Sequence, residues 1–276
     1  VVLASLAACS GDDGAPTASP PTSAAQTAPP TSTAPATTTT TLAPAARVAA
    51  DLVAAETAIH DPATPDADMA RWGQVQQAAI RELVFHPELE ADALALLPDR
   101  VRSATEAHLA AGRDLTALTP YDPDRPLPHW RIIPPEPAAA LLAHYKEAEA
   151  TTGVPWEYIA SIHLVETRMG RIRGDSSAGA RGPMQFIPTT WDMYGEGGDI
   201  ESTRDSIAAA ARKLRADGAR TDMDGALFAY NNSNRYVRAV TVYARQMETD
   251  ERTYLAYHGW QVYYGPRLLP EGTVTP

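Results

Sequence analysis

Apolar residues beyond position 45 recur every three to four positions, a period that only a helix converts into one continuous face. Residues 46–60 are alanine-rich at that spacing. Asp66 to His86 places Trp72, Val75, Ala79 and Leu83 on one side, and Pro87 stops it. Glu88–Leu97 and Asp99–Leu118 read as further helices. Residues 119–136 are rich in proline (Pro120, Pro123, Pro126, Pro128, Pro134 and Pro135). Trp130, Ile132 and Ile133 among them predict a connector that packs on its neighbours. From Pro137 to Tyr264 the pattern is again mostly helical, broken near Gly153, Gly170–Pro188, Gly195–Thr203 and Gly218–Asp224. The expected fold class is therefore mainly α: a helical N-terminal region at 46–118, the connector, and a second helical domain at 137–276.

The first 45 of the 276 residues contribute almost nothing to a core. Residues 10–45 are mostly Thr, Pro, Ala and Ser, a composition that cannot bury enough apolar area to offset its ordering entropy. They are expected to form a disordered tether. Residues 1–9 read as a signal-peptide remnant, and Leu6-Ala7-Ala8-Cys9 resembles a bacterial lipobox, in which the cysteine thiol carries the lipid. The expectation is an exported protein, anchored through Cys9 to the outer face of the cell membrane or wall of a bacterium. Cys9 is the single cysteine, so neither an internal disulfide nor a cysteine-based zinc site can form. A formal net charge of −11 argues against nucleic acid as a partner, because binding it requires basic side chains to neutralise phosphates. A neutral glycan suits that charge.

Pro155 is placed as the first residue of a helix that brings Ile159, Ile162, His163 and Glu166 onto one face. Gly170 is placed as its stop. A carboxylate on an apolar face, in a last turn where the helix dipole is negative, has its pKa pushed upward and can act as a general acid. The competing reading is a buried Glu166 paired with Arg168, Arg171 or Arg173. The local sequence leaves both open.

Three further motifs follow. Residues 176–191 run Ser-Ser-Ala-Gly-Ala-Arg-Gly-Pro-Met-Gln-Phe-Ile-Pro-Thr-Thr-Trp; Ala229-Tyr230-Asn231-Asn232 and Tyr236-Val237 come later. Together with Val165-Glu166-Thr167-Arg168-Met169-Gly170, they resemble the lytic transglycosylases of the goose-lysozyme-like (soluble lytic transglycosylase) superfamily. The likeness is closest to the membrane-bound lytic murein transglycosylase B subfamily, over roughly residues 137–265. The resemblance implies a lysozyme-like fold for residues 137–276 and a peptidoglycan substrate. It implies cleavage of the β-1,4 bond between N-acetylmuramic acid and N-acetylglucosamine, leaving a 1,6-anhydro end, in cell-wall remodelling.

The resemblance makes Glu166 the single catalytic acid/base. It assigns substrate contacts to Ser176 (nine positions before Gln185, with Ser177 next if the register slips), Gln185, Phe186, Tyr230 and Asn231. Gln185 suits N-acetyl and hydroxyl groups because an amide both donates and accepts. Phe186 and Trp191 are read as apolar walls of a sugar cleft, with core packing the alternative for Trp191; Tyr236 and His163 are expected to be packing residues. Pro183 departs from the Leu or Tyr of many relatives and removes a backbone N–H. No cofactor and no metal is implied; Asp222-x-Asp224-Gly225 resembles only a fragment of a calcium loop. Two alternatives stay open: a hydrolytic muramidase of the same fold, using Asp175 or Asp192 to activate water, and a non-catalytic peptidoglycan-binding lipoprotein scaffold.

Overall fold

The computed structural model describes residues 42–276; Cys9, the lipobox and the tether through residue 41 lie outside the described residues. The architecture is mainly helical. Helix α1 (Pro44–His60) starts with proline in its first turn, so Pro44 and Ala45 belong to the helix and not to the preceding linker. Helix α2 (Asp66–Phe85) opens with two acidic residues that suit its positive end. Its buried face is turned slightly from the expected one: Met69, Gly73, Gln76, Ile80 and Leu83 face inward, and Trp72 and Val75 are half-buried on the edge. A 3₁₀ turn at Pro87–Leu89 leads into the short α3 (Glu90–Ala95), and α4 (Asp99–Leu118) follows.

The connector packs, as its aromatic and branched residues predict. Strand β1 (Arg131–Ile132) pairs antiparallel with β2 (Ile172–Arg173), which lies just beyond the Glu166 helix. On its other edge β1 takes the C-terminal segment: the Ile132 N–H donates to the Thr273 carbonyl at 2.8 Å and the Gly272 N–H to the Ile132 carbonyl at 2.9 Å. Trp130, Ile132, Ile172, Val262 and Leu269 form a small apolar cluster there.

The second half comprises α5 (Ala138–Thr152), α6 (Trp156–Thr167), α7 (Pro188–Tyr194), α8 (Thr203–Ala216), α9 (Met223–Tyr230), α10 (Asn234–Thr249) and α11 (Arg252–His258). A hairpin of β3 (Val262–Tyr264) and β4 (Arg267–Leu269) closes it, a feature that the helical reading up to Tyr264 misses. Asp222 caps the N-terminus of α9 through the Gly225 N–H at 2.9 Å, which accounts for the Asp-x-Asp-Gly run.

One buried core runs through both halves, from Ala45 to Trp260. Helix α4 packs along α10, and α2 along α11. A Cβ on Gly73 would stand 2.0 Å from the Ala256 carbonyl oxygen, so only glycine permits the α2–α11 approach. Buried polar groups join the same layers. His108 Nε2 bonds Tyr257 Oη at 2.7 Å, and Gln76 donates to Glu56 at 2.7 Å and accepts from Trp260 Nε1 at 3.2 Å. His60 sits between Asp250 (2.6 Å) and Glu56 (3.3 Å). Among the described residues, no helix is long and apolar enough to cross a membrane.

Candidate active site around Glu166

Helix α6 is the central element. Every residue from Trp156 to Thr167 is buried except the half-buried Glu157, so the helix is enclosed on all sides. Pro155 is its cap, one position earlier than expected. Its end also differs from the glycine stop. Arg168 and Met169 both take left-handed conformations (φ 55° and 56°) before Gly170 at 81°. Non-glycine residues adopt that conformation at a cost, and local hydrogen bonds hold the turn. The Met169 N–H donates to the His163 carbonyl at 3.0 Å, and the Gly170 N–H to Thr167 Oγ1 at 3.1 Å.

Glu166 is therefore the penultimate residue of α6, 3% exposed. Burial is the main force on its carboxyl and pushes the pKa up from 4.5 to about 8; the nearby Tyr236 hydroxyl holds back part of that rise. Tyr236 is itself fully buried, and its Oη makes no hydrogen bond of full geometry. It stacks on Tyr230 with ring centroids 6.4 Å apart and planes 3° from parallel.

None of the three arginines considered as ion-pair partners takes that role. Arg171 pairs with Glu271 and donates to the His258 carbonyl, and Arg173 donates to the Glu201 carbonyl. Arg168 lies against the Trp260 ring at 5.6 Å. His163, one turn before Glu166, bonds Tyr145 Oη through Nδ1 at 2.7 Å, and burial drives its pKa down to about 3. It is a neutral core histidine.

The glycine-rich loop folds back on itself. Arg181 and Phe186 exchange two backbone hydrogen bonds of 2.9 Å. Gly182 has φ 72°, and a Cβ there would stand 2.0 Å from the Ile200 carbonyl oxygen. Ser176 is buried, and its Oγ accepts from the Ala178 and Ala180 N–H groups at 3.2 and 2.9 Å, so its oxygen shapes the loop. Ser177 is exposed. Gln185 is left-handed (φ 52°) and half-buried. Its amide nitrogen donates to the Gly182 carbonyl at 3.0 Å, and its buried Oε1 has no partner.

Phe186 is 2% exposed and is a core residue between Trp191 (5.5 Å) and Tyr230 (6.1 Å). The Tyr230 hydroxyl donates to the Met184 carbonyl at 2.8 Å. Asn231 is half-buried at the end of α9. The tertiary structure thus links Phe186, Tyr230 and Tyr236 in one aromatic chain that ends at Glu166. Tyr236, expected to be scaffold, is a polar neighbour of the carboxyl. The only sign of this in the sequence is its place in the Tyr-Val motif.

Asp175 and Asp192 do not join this group. Both are exposed, and Asp175 faces Arg181 at 3.8 Å. A cavity of about 710 Å³ lies elsewhere, between α5 and α8. It is lined by Arg204, Arg212 and Arg215 against Glu147, Glu196 and Asp205, and their opposed charges select no ligand class. A carboxyl with a pKa of about 8 stays protonated near neutral pH and can donate a proton. Searches of family models, curated proteins and solved structures returned no match to the chain.

Proposed function

We propose that this chain is a lytic transglycosylase of peptidoglycan, with a lysozyme-like catalytic domain and Glu166 as its one acid/base. The observation that carries this reading is the Glu166 carboxyl. It is buried at the end of a central helix, without a cationic partner among the described residues, and set against Tyr236. A structural carboxylate at this depth would need a charge partner; a proton donor would not.

In the proposed reaction, Glu166 gives its proton to the glycosidic oxygen between N-acetylmuramic acid and N-acetylglucosamine. The C1–O bond breaks, and the substrate's own N-acetyl oxygen stabilises the positive centre. The carboxylate left on Glu166 then takes the proton of the muramic C6 hydroxyl, whose oxygen closes on C1. The acid is regenerated and a 1,6-anhydro end results. The buried Oε1 of Gln185 is left without a partner, and Tyr230 and Phe186 hold the loop that carries it; the loop has to shift for this oxygen to accept from the glycan. Anchoring through Cys9 would hold the enzyme at the outer face of the membrane, within reach of the wall.

The hydrolytic alternative needs a second carboxylate on the far side of the sugar. The exposure of Asp175 and Asp192 favours the one-carboxylate route. The test is mass spectrometry of peptidoglycan digested by the soluble region, beside Glu166→Gln. Anhydro-muropeptides from the parent and none from the variant support the proposal. Reducing ends point to the muramidase, and glycan binding with no product from either protein points to the scaffold.

A further inference from the structure

We propose that Thr167 is a positioning residue that holds the 181–187 loop in register with Glu166. The inference rests on the function proposed above, although its first readout does not. Thr167 is the last residue of α6, next to Glu166 in the chain and fully buried. Its hydroxyl donates to the Pro183 carbonyl at 2.6 Å and accepts from the Gly170 N–H at 3.1 Å. One hydroxyl thus ties the left-handed turn after the catalytic helix to the loop that carries Gln185.

The neighbouring carbonyl is held from another direction, since the Tyr230 hydroxyl donates to Met184 at 2.8 Å. The loop is pinned at two consecutive carbonyls, one from α6 and one from α9, directly before Gln185. Pro183 has no N–H to contribute, and the Gln185 N–H is taken up by the Gly182 carbonyl at 3.1 Å. Among the described residues, the direct polar link between α6 and residues 181–187 is the Thr167 hydroxyl. A buried hydroxyl that serves as donor and acceptor at once fixes position more tightly than packing alone.

The test compares Thr167→Val, which keeps the shape but loses both hydrogen bonds, with Thr167→Ser, which keeps both, in the full chain. Amide hydrogen exchange of residues 181–187 is read first. The valine variant should speed it by about tenfold, leave α4 unchanged, and be rescued by serine. On peptidoglycan, the valine variant should lower kcat/KM by about 10- to 100-fold. The alkaline limb of the pH profile should stay in place, because Glu166 remains buried. Unchanged loop exchange in the valine variant, or serine behaving like valine, overturns the proposal. If the parent cleaves no glycan, the functional reading fails and the exchange data still decide the positioning role. Thr167→Ala carries the same comparison if the valine variant does not fold.

Discussion

Tyr236 on α10 sets its hydroxyl against the carboxyl of Glu166 on α6, and both residues are buried. The pairing joins two helices whose sequence positions are seventy residues apart. It places a polar group beside a buried carboxyl, and the Tyr230 phenol is close enough to sense the same charge. The hydroxyl favours the ionised form and so opposes the burial that raises the pKa.

On the proposed function, the alkaline limb of the kcat/KM profile reports the loss of the Glu166 proton, and Tyr236→Phe should move that limb upward from about pH 8. Activity at neutral pH should fall by about tenfold through loss of alignment. A limb that stays put or moves down would show that the hydroxyl does not act on the carboxyl.

Glu166→Gln should abolish cleavage and stabilise the fold. With a folded pKa of about 8 against 4.5 in the unfolded chain, the folded state holds the extra proton between those values. Stability from this group therefore falls as pH rises from 4.5 through 8, by roughly 3–5 kcal/mol in all. Thermal unfolding of parent and variant should give similar Tm values near pH 4.5 and a clear advantage to glutamine at pH 8.5.

His60 reports on the seam between the halves. It bridges Glu56 on α1 and Asp250 before α11, and its bond to Glu56 is the main force that raises its pKa above 6.5. A raised histidine pKa gives stability that is complete below 6.5 and is lost as pH rises through the folded value. His60→Gln should cost about 1–2 kcal/mol at pH 5.5 and distinctly less at pH 9. Denaturant midpoints at the two pH values measure it, and an equal loss at both would contradict the assignment.

Two glycine substitutions separate bracing from site geometry. Gly73→Ala forces a Cβ into the Ala256 carbonyl at the α2–α11 contact, and Gly182→Ala does the same against Ile200 from a left-handed position. Each should cost about 2–3 kcal/mol. Gly182→Ala should also lower kcat/KM with the protein still folded at 25 °C, because the loop carrying Gln185 must shift. Gly73→Ala should lower Tm more than it lowers activity measured at 25 °C.

Much of the helical scaffold is legible in the sequence, because apolar period and proline punctuation act locally. The spans of α2 and α4 follow from these signals to within a residue, and so does the burial of Ile159, Ile162, His163 and Glu166 on one helix. The hairpin at Val262–Leu269 is hidden because its strands are three residues each, too short to show an alternating pattern. The left-handed Arg168-Met169 turn is hidden for a different reason. Glycine is the expected marker of such a turn, and here hydrogen bonds from buried neighbours hold residues that carry side chains.

The candidate site divides along the same line. The sequence by itself determines that one carboxylate stands at the end of an apolar helix, followed by a glycine-rich loop and a Tyr-Asn pair. Only the tertiary structure decides that Arg168, Arg171 and Arg173 turn to other partners and that Tyr236 meets the carboxyl. It alone decides that Ser176 shapes its loop and that Thr167 reaches Pro183. Helical period is set by neighbours within a few residues. The partners of a buried polar group are set by whichever distant segments pack closely enough to exclude water and complete its hydrogen bonds.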